Sequence, residues 1–109
     1  MQRALAATVI IFLSCVPYIQ DQKAPDARRV EARKAFDEGQ RLAEAVRYAE
    51  AVPLIERALE LSTANHGEAH PEVARCLDLL GNTRRQQGDF ARAEPLLQRG
   101  LAIREAVYG

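Results

Sequence analysis

Apolar residues recur at helical spacing along most of the chain, and the pattern predicts two pairs of helices. After Pro71, which suits a first helical position, Val73, Leu77 and Leu80 lie on one face until Gly88-Asp89 ends the run. The next helix is predicted to begin near Phe90, with its apolar face at Ala93, Leu96, Leu97, Gly100, Leu101 and Val107. The earlier pair shows the same pattern at Ala35, Gly39 and Leu42, then at Tyr48, Ala51, Ile55, Ala58 and Leu59.

The two pairs are copies of one unit. When residues 48–67 are placed over residues 90–109, an offset of 42, eight of twenty positions are identical, whereas about one or two are expected by chance. Such a period indicates stacked helical units, here about 32–67 and 73–109. The identities are Ala49/Ala91, Ala51/Ala93, Pro53/Pro95, Leu54/Leu96, Arg57/Arg99, Leu59/Leu101, Ala64/Ala106 and Gly67/Gly109.

Two features of the repeat bear on packing. Pro53 and Pro95 fall inside their helices in the same register, which favours a tolerated kink or a late effective helix start over an error in the helix assignment. Gly81, Ala93 and Gly100 lack bulky side chains, so we expect the antiparallel helices to approach closely there.

The N-terminal segment has a different pattern. Residues 4–20 carry no charge and follow Arg3, a layout typical of a secretory signal, so residues 1–20 are predicted to be a signal peptide or an anchor. Pro17 and Asp21 make a membrane-spanning anchor short. Cys15 follows Ser14 in a partial match to a bacterial lipoprotein cleavage box, so lipidation of Cys15 stays an alternative. We expect an exported protein, periplasmic or anchored in the bacterial cell envelope.

Composition agrees with an all-α domain. Residues 21–28 are predicted to be a polar tether and 29–109 the helical domain, which is rich in helix-forming residues. Fifteen basic residues balance fifteen acidic ones, so nothing favours nucleic acid as a partner, and the doublets Arg28-Arg29 and Arg84-Arg85 are interpreted as solvated helix faces. Cys76 is predicted to be a small, partly buried residue without a redox role.

The second unit resembles a known family. The segment from Asp89 to Ile103 is similar to the second helix of a tetratricopeptide repeat of the kinesin-light-chain-like kind, and residues 67–74 are similar to its linker and next helix start. The resemblance covers about residues 32–109 and implies a short solenoid. Val46-Arg47 departs from it, because the family commonly has Gly-Asp there, and Glu38 replaces a usual apolar residue.

The resemblance also implies a function and a binding face. Tetratricopeptide repeats usually bind peptides or partner helices on the concave face formed by the first helix of each pair. Phe36 would be an apolar anchor there, Asn82 would hydrogen-bond a peptide backbone, and Arg85 would meet a carboxylate. The whole face would comprise Arg33, Phe36, Gln40, Arg75, Asp78, Asn82 and Arg85.

No residue pattern indicates catalysis or a cofactor. The sequence has no Gly-rich phosphate loop, nucleophile elbow or paired CxxC motif. His66 and His70 have the four-residue spacing of a zinc pair, but Gly67 and Pro71 place them in a linker, so His70 is interpreted as a helix-entry residue. We therefore expect a binding protein, not an enzyme.

The C-terminal end leads to the alternatives. Leu101, Val107 and Tyr108 would lack cover in a two-unit array, because such arrays usually need about three units and a polar cap. From the repeat and the N-terminal segment together, the chain is predicted to be an exported scaffold for a protein or peptide partner. The alternatives are a homo-oligomerising assembly element that associates through this end, or a fragment of a longer repeat protein.

Overall fold

The computed structural model describes residues 25–109, and these residues form four α-helices joined by short turns. The helices are α1 (Pro25–Glu44), α2 (Tyr48–His66), α3 (Pro71–Gln86) and α4 (Phe90–Tyr108). The all-α prediction is confirmed for this part of the chain. Because α1 begins at Pro25, the last four residues of the expected tether are helical. The predicted signal or anchor segment, with Cys15, lies outside the described residues.

The helices pack in consecutive pairs, as the repeat predicts. Helix α1 packs on α2, α3 packs on α4, and the two pairs meet mainly where α3 packs on α2. Equivalent helices α2 and α4 begin at Tyr48 and Phe90, 42 residues apart. No helix among the described residues is long and apolar enough to cross a membrane.

The hydrophobic core runs through both pairs and across their junction. Ile55, Val73 and Leu77 are its largest fully buried side chains. Leu80 of α3 packs with Ile55 and its neighbours on α1 and α2, which ties the second pair to the first. Ile103 of α4 closes the other side of the core against Val73 and Leu77. Burial of these apolar faces is the main force that holds such short helices together.

Glycines stand where the helices of each pair come closest. A Cβ placed on Gly39 would lie 2.7 Å from Ile55 Cγ1, and one placed on Gly81 would lie 2.7 Å from Leu97 Cγ. A Cβ on Gly100 would lie 2.6 Å from Asp78 Oδ1. These separations are shorter than van der Waals contact, so the close packing expected from Gly81 and Gly100 is confirmed and also holds at Gly39.

The two prolines lie at the same place in their helices. Pro53 and Pro95 are each the sixth residue of their helix, and both are exposed. Each proline lacks the N–H that would bond back one turn. The carbonyl that loses its partner lies near the helix start, on an exposed stretch where water can reach it. The prediction of a proline tolerated inside each helix is confirmed.

Both turns that join the helices of a pair use the same hydrogen bonds. The N–H of Asp89 donates to the carbonyl of Arg84 at 2.9 Å, and the N–H of Arg47 donates to that of Leu42 at 2.9 Å. This is the pattern of a helix that ends in a left-handed residue, here Gly88 with φ 82° and Val46 with φ 64°. The β-branched Val46 therefore occupies a conformation that suits glycine.

The two turns differ in how they cap the next helix. The Asp89 carboxylate accepts a hydrogen bond from the Arg92 N–H at 3.3 Å, whereas the side chain of Arg47 makes no cap bond at the start of α2. A side-chain cap satisfies one of the free N–H groups of the first helical turn. The departure from Gly-Asp seen in the sequence thus marks a less favourable turn in the first unit.

Replacing Val46 with glycine should stabilise the domain. The left-handed conformation costs a β-branched residue about 1–2 kcal/mol, and glycine avoids this cost. Glycine also gives the unfolded chain more conformational entropy, which offsets part of the gain, so we expect the free energy of unfolding to rise by about 0.5–1 kcal/mol. Little packing is lost, because Val46 is 68% exposed. The measurement is urea denaturation followed by circular dichroism.

The matched control is Gly88→Val, which places the same β-branched residue in the equivalent turn. It should lower the free energy of unfolding by about 1–2 kcal/mol. A Val46→Gly variant no more stable than the parent chain would show that the turn is not strained.

Candidate functional site

A groove of about 500 Å³ lies between the first helices of the two pairs. Its walls come from α1 and α3, and the C-terminal end of α2 forms its base. This position follows from the pairing. Helix α2 lies between α1 and α3, and the faces of α1 and α3 that α2 leaves uncovered line the groove. The lining residues are Arg29, Ala32, Arg33, Phe36, Asp37, Ser62, Asn65, His66, Glu72, Arg75 and Cys76.

Three of the seven residues predicted for the binding face meet in this groove. Arg33 and Phe36 come from α1 and Arg75 from α3. The guanidinium carbon of Arg75 lies 4.8 Å from the centroid of the Phe36 ring, a cation–π contact between the two units. The Phe36 ring is partly exposed, so it offers an apolar surface beside a cation.

The other four predicted residues lie elsewhere. Gln40 and Asn82 are exposed two turns beyond Arg33 on α1 and Arg75 on α3, and they are not among the residues that line the groove. Asp78 turns towards its own pair, where its carboxylate pairs with Arg104 and packs against Gly100. Arg85 lines a separate depression with Phe90, Leu97 and Leu101 of α4. Asp78 and Arg85 therefore lie on the side of α3 that contacts α4.

The groove carries an excess of basic groups. Arg29, Arg33 and Arg75 line it together with the carboxylates of Asp37 and Glu72. Glu72 is already paired with Arg75, at 3.3 Å between Arg75 Nη1 and Glu72 Oε1. Arg29 and Arg33 have no such pair with another described residue. Their charges therefore remain available to an acidic group that enters the groove.

The linker histidines stack at one end of this groove. The rings of His66 and His70 are parallel within 12°, with centroids 4.0 Å apart. His70 Nδ1 accepts a hydrogen bond from the Glu72 N–H at 3.1 Å, so His70 caps α3 and its interpretation as a helix-entry residue is confirmed. Among the described residues, no cluster of three or more His, Cys, Asp or Glu side chains could hold a metal ion.

The ionisation of His66 reflects its position. Partial burial lowers the pKa of His66, and the positive charges of His70 and Arg29 lower this pKa further, while Glu72 opposes them. The neutral imidazole is therefore the favoured form in the folded chain. This effect of Arg29 agrees with the basic character of the groove.

Cys76 lies buried beside the base of the groove and has little reactivity. Cys76 is 2% exposed, and its Sγ lies 3.6 Å from Ser62 Oγ. Burial raises the pKa of the Cys76 thiol, which keeps it protonated and weakly nucleophilic. Nearby, the Asn65 side-chain nitrogen is buried without a hydrogen-bond partner among the described residues. Cys76 is predicted to be partly buried, and the structure buries it almost completely because α1 and α2 both pack against it.

Sequence reasoning missed the residues that the end of α2 and the start of α1 bring into the groove. Arg29 lies one turn before Arg33 on the same face, a spacing visible in the sequence, but it had been interpreted only as part of a solvated doublet. Ser62, Asn65 and His66 gave no such signal. They reach the groove only because α2 ends between α1 and α3.

Comparison with known proteins identifies one family. A family model described as tetratricopeptide repeat matches residues 39–106, more than half of the chain. The match runs from the second half of α1 into α4 and begins three residues after Phe36. A search of curated proteins finds no match.

Acidification should destabilise the domain through His66. Because its pKa is lower in the folded than in the unfolded chain, its contribution to stability is present at neutral pH and is lost as the pH falls below about 6.5. We expect His66→Gln, which keeps a polar side chain that cannot titrate, to lose less stability than the parent between about pH 7 and pH 5. Thermal melts at both pH values give the comparison; equal losses in the two proteins would contradict it.

Proposed function

Because the chain belongs to the tetratricopeptide repeat family, we propose that it is a non-catalytic module that binds a peptide segment of a partner protein in the groove between α1 and α3. Tetratricopeptide repeats are generally protein-interaction modules. The observation that carries the proposal is the meeting of Arg33, Phe36 and Arg75 from two helices on one open groove. Arg29 and Phe36 lie about two helical turns apart on α1, so the groove can take several residues of an extended peptide.

The charges of the groove favour an acidic peptide. Arg29 and Arg33 stand one turn apart on α1, and neither forms an ion pair with another described residue, so a carboxylate seated between them would be held by two guanidinium groups. Phe36 lies one further turn along, where an apolar side chain of the peptide would cover its ring. The proposed ligand therefore has acidic residues followed or preceded by an apolar one.

We further propose that the repeat is of the kinesin-light-chain-like kind. In support, α2 and α4 begin 42 residues apart, and Pro53 and Pro95 occupy the same position in them. The His-Pro step at residues 70–71 starts α3 with a side-chain cap followed by a proline at the first helical position. The turn at Val46-Arg47 keeps the hydrogen bonds of its equivalent while losing the glycine and the cap.

Export to the cell envelope is a separate proposal that rests on the sequence of residues 1–20. The uncharged stretch after Arg3 is its support, and Cys15 is the residue that lipidation would use. An exported binding module would meet its partner outside the cytoplasm or at the membrane surface.

Reversing the basic charge of the groove should weaken binding of an acidic peptide. The probe is a set of fluorescent peptides that combine Glu or Asp with one Phe or Leu, each with a Gln or Asn counterpart, measured by fluorescence anisotropy. We expect the double variant Arg29→Glu/Arg33→Glu to bind the acidic peptides at least about tenfold more weakly, since two favourable charge contacts become repulsive. The amide counterparts should bind weakly to the parent chain.

Arg92→Glu/Arg99→Glu is the matched control, because both arginines are exposed on α4 away from the groove and the two double variants change the net charge by the same amount. Its affinity for the acidic peptides should equal that of the parent. If this control weakens binding as much as Arg29→Glu/Arg33→Glu does, the effect is one of net charge and the groove is not the site.

Mass spectrometry of the mature N-terminus tests the export proposal. Expressed in a bacterial host, the chain should lose mass from its N-terminus, either with a free new terminus or with an acylated Cys15. Cys15→Ser should abolish acylation, and it should not affect cleavage that leaves a free new N-terminus. An intact chain that starts at Met1 and fractionates with the cytoplasm would contradict export.

A further inference from the structure

One face of α4 is exposed or partly exposed along its length and has the spacing of a helix–helix interface. Its residues recur at intervals of four, three, four, three and four, the spacing that places side chains on one stripe of two packed helices. Phe90, Leu101 and Tyr108 are 62%, 50% and 73% exposed. We name this stripe the α4 seam; it consists of Phe90, Glu94, Leu97, Leu101, Arg104 and Tyr108.

The equivalent face of α2 is the one that another helix covers. Val52, Ile55 and Ser62 stand 42 residues before Glu94, Leu97 and Arg104, and they are 6%, 0% and 6% exposed. Leu80 and Cys76 of α3 supply that cover. The α4 seam is therefore the surface on which the next helix of such an array packs. Helix α3 of the same chain reaches one edge of the seam, where Leu97 lies against Gly81 and Arg104 pairs with Asp78.

The outer face of α1 does not fit the α4 seam. At the positions where α3 has Cys76, Leu80 and Thr83, α1 has Lys34, Glu38 and Arg41. Their charges lie on the face of α1 that would have to pack against the α4 seam. Glu38 and Arg41 also pair with each other on the surface. Stacking of α1 from one copy onto α4 of another would bury these charges against Leu97 and Leu101, which is costly. Head-to-tail assembly is therefore disfavoured.

The α4 seam is complementary to itself when reversed. Two α4 helices can run antiparallel about a two-fold axis near Arg99. Each residue then faces the residue of the other copy for which the two residue numbers sum to 198. Leu97 then meets Leu101, Glu94 meets Arg104, and Phe90 meets Tyr108. Apolar residues face each other at the centre, opposite charges flank them, and aromatic rings close both ends.

We propose that the α4 seam is the interface of an antiparallel homodimer, with α4 of one copy packed on α4 of a second. A two-fold interface uses the same patch on both copies, and the reversal symmetry of this seam meets that requirement residue by residue. The ion pair occurs twice in the dimer, once on each side of the leucines. The inference does not depend on the groove between α1 and α3, which lies on other helices and stays open in such a dimer.

Arg104 has the geometry for its part in this interface. It is 40% exposed and already pairs with Asp78 of its own copy, which holds the guanidinium at the edge of the seam. A guanidinium has five N–H donors, so Arg104 can bond Asp78 and Glu94 of the second copy together. The cation would then be shared by two carboxylates, and its side chain would be ordered before association.

Sedimentation velocity of the full chain over a dilution series is the first test. The parent should show a concentration-dependent monomer–dimer equilibrium. Leu101→Lys should raise the dimer dissociation constant about a hundredfold or more, because two ammonium groups enter the apolar centre. The control Ala102→Lys adds the same charge to an exposed neighbouring position off the seam, and it should dimerise like the parent.

Disulfide capture tests the antiparallel register. In a Cys15→Ser/Cys76→Ser background, one chain carries Glu94→Cys and another carries Arg104→Cys. A mixture of the two should cross-link on oxidation, because these positions meet across the axis. Each chain alone should not, since the two copies of position 94 lie about 15 Å apart along the antiparallel helices.

Several results would overturn the proposal. A parent chain that is monomeric at every concentration has no such interface. Association that persists unchanged in Leu101→Lys, for example through the apolar residues before Pro17, belongs to another surface. Cross-linking of Glu94→Cys with itself but not with Arg104→Cys would mean that the helices are parallel, and it would exclude the paired contacts on which the proposal rests.

Discussion

The close contact between the two helices of each pair is the constraint on which the rest of the structure depends. Gly39 admits Ile55 of α2, Gly81 admits Leu97 of α4, and Gly100 lies against Asp78. Any larger side chain at these points would push the helix axes apart. Because the contact falls at equivalent positions, both pairs adopt the same arrangement, and two copies of one unit can stack with α3 of the second against α2 of the first.

The stacking leaves two kinds of surface, and they differ in chemistry. Where α1 and α3 face each other, the helices are separated by α2, which produces an open groove with basic walls and the Phe36–Arg75 contact. At the far side, α4 presents leucines and aromatic rings to solvent, while α1 presents Lys34, Glu38 and Arg41. The array therefore has a polar first face and an apolar last one. A peptide suits the groove, and a helix suits the last face.

The first unit tolerates two local defects because tertiary packing holds it in place. Val46 keeps a left-handed backbone and Arg47 leaves α2 without a side-chain cap, yet the turn keeps the same two backbone hydrogen bonds as its counterpart at Gly88-Asp89. Residues on either side of the turn, Leu42 and Ala51, are buried in one cluster with Ile55 and Leu80. Burial of that cluster outweighs the cost of an unfavourable turn.

The sequence by itself determined the repeat, the four helices of residues 25–109, the glycine contacts and the role of His70, because each depends on spacing along one chain segment. It also placed Arg33, Phe36 and Arg75 on one face. Tertiary structure alone decided that Asp78 pairs with Arg104, that Arg85 joins α4, and that Arg29 and the end of α2 complete the groove. Helical periodicity fixes the direction of a side chain from its own axis. The partner it meets depends on where the neighbouring axis lies, and side-chain packing between distant segments sets that position.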